Sequence, residues 1–198
     1  MNKQTLKIVS LVAGILAAVL AVFIFVTGIL IIKQFDGDLP AKYNAYIAIL
    51  LILELATAAG VGVFGTLIIM NFFKGDEECK FMLYPALVLF ASNVLGTFIG
   101  MCFMGFDNGM AWVYLVFYGA ALALVLVALF AQLEKLVKGI LILIAMGIGF
   151  VFAIVGLTQA GGIGIANGIF ELFMFVAFFL YYLFKMIVEG TFSSSKSE

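Results

Sequence analysis

The sequence predicts an all-α integral membrane protein: six transmembrane helices arranged as three antiparallel hairpins, with both termini cytoplasmic. Three observations carry this expectation. Of 198 residues, 66% are hydrophobic and 11% charged, and the mean hydropathy is +1.30; a soluble domain is nearer half apolar and a quarter charged. Apolar segments recur at about 7–33, 43–73, 81–105, 111–133, 138–158 and 163–187. Each reaches the roughly 20 residues needed to cross a hydrocarbon core about 30 Å thick. Only short polar links separate them, so residues 1–190 read as a single transmembrane domain, and the polar "TFSSSKSE" at 191–198 as a disordered tail.

The first segment follows "MNKQTLK" and runs apolar from Ile8 to Ile32. A signal-peptide h-region is shorter, about 7–15 residues, so a retained span is expected. Gly14 and Ala18 sit four residues apart, a spacing that lets helix backbones approach closely. The second segment is the longest and is expected to tilt, to project from the bilayer, or to kink at Gly60, Gly62 or Gly65. Ala58 and Gly62 form its small-residue seam. The third segment carries Ser92, Gly96 and Gly100 at the same spacing, and the fifth carries Ala145, Gly149 and Ala153. All are expected to be packing seams. The sixth, "FELFMFVAFFLYYLF", is crowded with rings and is expected at the periphery, towards lipid or a neighbouring subunit.

Orientation follows from the lysines. With the N-terminus inside, Lys3, Lys7, Lys74, Lys80, Lys135, Lys138, Lys185 and Lys196 are cytoplasmic, leaving Lys33 and Lys42 outside. Tyr43, Tyr46, Trp112 and Tyr114 then fall near the outer interface, where aromatic rings are favoured. The plasma membrane is the expected location. Cys79 and Cys102 are placed at opposite ends of the third helix, roughly 35 Å apart at about 1.5 Å per residue. That is beyond disulfide reach, and both are expected as free thiols.

All ten basic residues are lysine; there is no Arg and no His. Bidentate grips on phosphate and imidazole acid–base chemistry lose their usual residues. No metal-ligand spacing is present, and "GGIGIANG" lacks the lysine of a phosphate loop. Catalysis, a cofactor, a metal and a nucleic-acid partner are therefore not expected. The expected partners are the lipid bilayer and a second copy or another membrane protein.

Two acids interrupt the apolar spans. Glu54 lies about 12 Å inward from Tyr46, and Glu171 about 12 Å inward from Ile163. Ala58 and Gly62 share the face of Glu54; Asn167, Gly168 and Gly164 share that of Glu171. A charged acid at the centre of a span costs about 2.5–3.5 kcal/mol on insertion scales, and no lysine lies within the spans to offset it. Each carboxyl must hold a proton, bind a cation, meet water or hydrogen-bond across helices. Asn93, on one face with Thr97, and Tyr118 lie at comparable depth. Glu54, Asn93, Tyr118 and Glu171 are the candidate ion- or substrate-binding set.

Three functions compete: a small transporter or channel for protons, cations or a small solute; a non-catalytic structural or accessory subunit; and a substrate-capturing membrane subunit. In span count and length the chain resembles the vitamin-capturing components of energy-coupling transporters. In its hairpin layout it resembles the HdeD-like acid-resistance membrane proteins. Both likenesses are architectural and carry no residue over.

Overall fold

A computed structural model describes residues 3–34, 41–75, 79–159 and 163–190. These form α1 (Lys3–Gln34), α2 (Ala41–Lys74), α3 (Tyr84–Met104), α4 (Gly109–Phe130), α5 (Lys135–Gln159) and α6 (Ile163–Val188). Each contains a stretch long and apolar enough to cross a membrane. Six such helices, each satisfying its own backbone hydrogen bonds, make a multi-pass membrane protein. The tail at 191–198 lies outside the described residues.

Local chemistry sets the helix ends. Pro85 stands in the first turn of α3, where its missing N–H costs nothing, and the helix begins at Tyr84 rather than at 81. Cys79 accordingly sits in the turn before α3, not within it; Cys79 and Cys102 are both free thiols. α4 begins at Gly109, earlier than the apolar run implies, because the Asn108 side chain accepts hydrogen bonds from the Met110 and Ala111 N–H groups.

α2 is one unbroken helix of 34 residues, about 50 Å long. Gly60, Gly62 and Gly65, where a kink was one of three expected ways to fit its length, each receive a neighbouring helix. A Cβ on Gly65 would lie 2.8 Å from the Ala18 backbone nitrogen and 3.0 Å from the Gly14 carbonyl oxygen. One on Gly14 would lie 3.1 Å from the Gly65 carbonyl oxygen. Here the backbones of α1 and α2 touch, as the Gly14/Ala18 spacing implies. Further along, Gly62 faces Ala21, and Ala58 is buried.

Successive helices pack side by side, and α6 returns to pack on α1. The hairpin pairs α1/α2, α3/α4 and α5/α6 are in contact, but so are α2/α3 and α4/α5. The result is a closed ring of helices rather than three self-contained hairpins. Its closure is specific: the Asn167 amide nitrogen donates to the Thr27 hydroxyl oxygen at 2.8 Å, and Phe23 stacks on Phe170 with centroids 4.9 Å apart. At the lysine-rich end, the Lys7 ammonium donates to the Gly75 carbonyl at 2.8 Å, tying the start of α1 to the end of α2.

The sixth helix is not peripheral. Met174, Phe175 and Phe178 are wholly buried, and Tyr181 nearly so. Its opposite face carries the exposed Ile165, Ile169 and Phe173. The reason lies in α5. A Cβ on Gly149 would come within 2.6 Å of the Phe175 ring, and the Met186 sulfur occupies the space over Gly139. Ala145 and Ala153 are buried along the same stripe. These small residues are sockets for the large side chains of α6. Phe175 then stacks on Phe90 across the ring at 5.3 Å, and Phe90, Tyr118 and Phe152 complete the aromatic centre.

Candidate functional site

Between α2, α3 and α4 lies a cavity of about 480 Å³. Gly105, Asn108 and Met110 of the α3–α4 turn form its mouth, with Tyr46 at one side; Leu53, Glu54, Ser92 and Asn93 line its far end. Tyr46 and Glu54 are two helical turns apart, so the cavity extends about 12 Å from mouth to acid. The mouth is at the end opposite Lys7, Gly75 and Lys135.

The cavity exists because of the third helix. The stripe Ser92, Gly96 and Gly100, expected as a packing seam, is its wall. A Cβ on Gly96 would find only Leu53 Cδ2, at 3.4 Å, and one on Gly100 only the Tyr46 hydroxyl, at 3.5 Å. Both are ordinary contacts with side-chain ends, so no backbone fills the stripe. Thr97 and Asn93 run beside it. α2 and α3 are held together below the hollow by a hydrogen bond of 2.6 Å between the Thr57 and Ser92 hydroxyls. The Thr57 hydroxyl also reaches the Leu53 carbonyl oxygen at 2.7 Å. Since that carbonyl can only accept, Thr57 donates to it and Ser92 supplies the proton of the shared bond.

Glu54 faces the bundle, as its seam implies. α1 presents Gly28 to its base, where an added Cβ would lie 3.5 Å from the Glu54 Cβ. The Asn93 amide nitrogen is tied back to the Leu89 carbonyl at 3.0 Å. At the mouth, the Trp112 indole N–H donates to the Phe106 carbonyl at 3.0 Å and latches the turn. Tyr46 and Tyr114 line the cavity; Trp112 and Tyr43 are exposed.

Tyr118 and Glu171 do not line the cavity. Tyr118 is buried behind Tyr114, with ring centroids 6.1 Å apart. Glu171 is near enough to interact electrostatically with both Glu54 and Tyr118. Its Oε1 is buried with no hydrogen-bond partner, and so is the Asn167 Oδ1 one turn away on the same face. The candidate set thus divides: Glu54 and Asn93 on the cavity wall, Tyr118 and Glu171 behind it. Among the described residues no lysine pairs with either acid, and no cluster of three or more His, Cys, Asp or Glu is found.

Sequence reasoning missed Tyr46 and Tyr114 as lining residues. The signal was present: Tyr46, Leu50 and Glu54 repeat every fourth residue, one stripe leading from the interface to the acid. No protein-family model, curated protein or solved structure matches this chain.

Proposed function

We propose that this protein is a small transporter or channel whose substrate enters the cavity between α2, α3 and α4, with Glu54 as the acid that meets it. A proton, a monovalent cation or a small polar cation-bearing solute fits the chemistry. One observation supports this reading above the others: an acid without a lysine partner lies at the far end of a cavity of about 480 Å³. Asn93, Thr97, Ser92 and the tyrosines give the lining enough oxygen and nitrogen to replace part of a hydration shell. Glu171 stands behind Glu54. Its orphaned oxygen and that of Asn167 form a pair of buried acceptors, each costing about 1–3 kcal/mol when unmatched. A proton on Glu171, or a cation passing between the two, satisfies both. The lysine bias supports a cavity mouth outside the cell and both termini inside; the plasma membrane is part of the same proposal. No catalytic step is assigned.

The test is flux in liposomes containing the purified protein, read with a trapped pH dye and with cation indicators. Glu54→Gln preserves side-chain shape and is expected to abolish flux while the protein remains monodisperse. Absence of flux in the unmodified protein, together with recovery of a defined membrane partner, would establish the alternative, an accessory subunit.

A further inference from the structure

A second pocket lies at the other end of the molecule and has the opposite chemistry. It holds about 220 Å³ between the start of α5 and the end of α6. Among the described residues Lys135, Lys138 and Lys185 line it with one acid, Glu189, and Tyr182 and Met186 are also in the lining. We infer that this pocket binds the phosphate headgroup of an acidic phospholipid.

Charge is the first support. Three ammonium groups face one carboxylate, so the pocket has a positive balance even with Glu189 ionised. The second support is Glu189 itself. Its two carboxylate oxygens lie 3.8 Å from the Lys135 ammonium and 3.6 Å from that of Lys185. An anionic group thus already sits between these lysines, at separations longer than a tight charge-assisted hydrogen bond of about 2.8 Å. A phosphate can approach these lysines from the open side, where the Lys135 side chain is 81% exposed.

The third support selects a lipid over a free anion. The pocket lies at the ends of two helices that are long and apolar enough to cross a membrane, which puts it at headgroup depth. The Tyr182 ring and the Met186 thioether beneath the lysines suit the glycerol and upper acyl chain. Lysines at this depth are each worth about a fivefold gain in affinity for an anionic surface.

The test is native mass spectrometry of the full-length protein with phosphatidylglycerol and phosphatidylcholine at equal concentration. The unmodified protein is expected to retain phosphatidylglycerol preferentially. Combined Lys135→Gln, Lys138→Gln and Lys185→Gln should remove that preference, and Glu189→Gln should strengthen it. These opposite signs separate headgroup binding from damage to the fold, which would weaken retention in every variant. Equal retention of both lipids by the unmodified protein would overturn the inference, as would no response to the lysine or the Glu189 substitutions. If inorganic phosphate raised thermal stability as much as phosphatidylglycerol did, the site would be one for free anions and the lipid assignment would fall.

Discussion

The third and fifth helices carry the same pattern and use it in opposite ways. Ser92, Gly96 and Gly100 on α3, and Ala145, Gly149 and Ala153 on α5, are small residues at identical spacing. On α5 the neighbouring helix answers with Phe175 over Gly149, Ala145 and Ala153 are buried beside it, and the stripe is closed. On α3 it answers with Leu53 and Tyr46, which stop at ordinary contact distance, and the stripe becomes a cavity wall. A small-residue spacing therefore states only that volume is missing. The partner helix decides whether that volume is closed or left open. The two intramembrane acids divide likewise: Glu54 lines the cavity, and Glu171 lies outside it with one buried, orphaned oxygen.

The comparison can be broken most forcefully by filling the stripes. Gly149→Leu drives a side chain into the Phe175 ring, and loss of monodisperse protein in detergent is expected. The milder Gly149→Ala should cost about 1–3 kcal/mol, as overpacking does, read as a lower melting temperature. Gly96→Ala should change stability by no more than about 0.5 kcal/mol, because its Cβ meets only a leucine methyl. Equal destabilisation by the two alanine variants would erase the distinction.

Flux gives the next largest effect. Glu54→Gln should lower transport at least about tenfold, corresponding to 1.4 kcal/mol or more. Glu171→Gln should leave the melting temperature unchanged or raise it, since its amide can donate to the Asn167 Oδ1. A flux defect as deep in Glu171→Gln as in Glu54→Gln would mean that both acids conduct. Accessibility sharpens the same contrast. On a cysteine-free background, Thr97→Cys should react with a water-soluble thiosulfonate and be protected by blocking the mouth, whereas Ala145→Cys should not react. Labelling of both positions would show that the sealed side is wetted.

Smaller effects are expected at the edges of the cavity. Thr57→Val removes the hydroxyl that links α2 to α3, and about 0.6 kcal/mol is expected from comparable membrane-helix bonds. At the lysine-rich end, burial pushes the Cys79 thiol above its ordinary value, with the Phe81 backbone N–H and Lys185 acting in the opposite sense. A raised value means less thiolate at neutral pH, so alkylation of Cys79 should be slower than that of a free cysteine peptide. The deficit should shrink as the pH rises towards the thiol's own value. Equal rates at pH 7.5 and pH 9 on both would contradict it (the thiolate is the nucleophile).

Much of this architecture was legible in the residues. Spans separated by short polar links are visible because a bilayer demands length and hydropathy together. The two acids stood out because the other charged residues of the spans fall near their ends. The inward face of Glu54 followed from Ala58 and Gly62. What could not be read was which helix answers which stripe. In a soluble helix the polar face marks the outside, but here lipid and core are both apolar. The rings of α6 therefore read as lipid-facing, although Gly149 and Gly139 receive its bulk from the next helix. Gly65 likewise read as a possible kink, because a glycine's need for space is only visible once the Ala18 nitrogen is beside it.

Ring closure has a consequence for how the molecule is made. The hydrogen bond between Thr27 and Asn167 joins residues separated by 140 positions. A ribosome adding about 5–20 residues per second finishes α6 many seconds after α1 has left the exit tunnel. For that interval the Thr27 hydroxyl and the Phe23 ring face lipid, insertion machinery or a chaperone. The helix that bears Glu171 arrives last and closes the ring. A chain stalled before α6 would display an open flank of α1, a surface that quality-control machinery can recognise and remove.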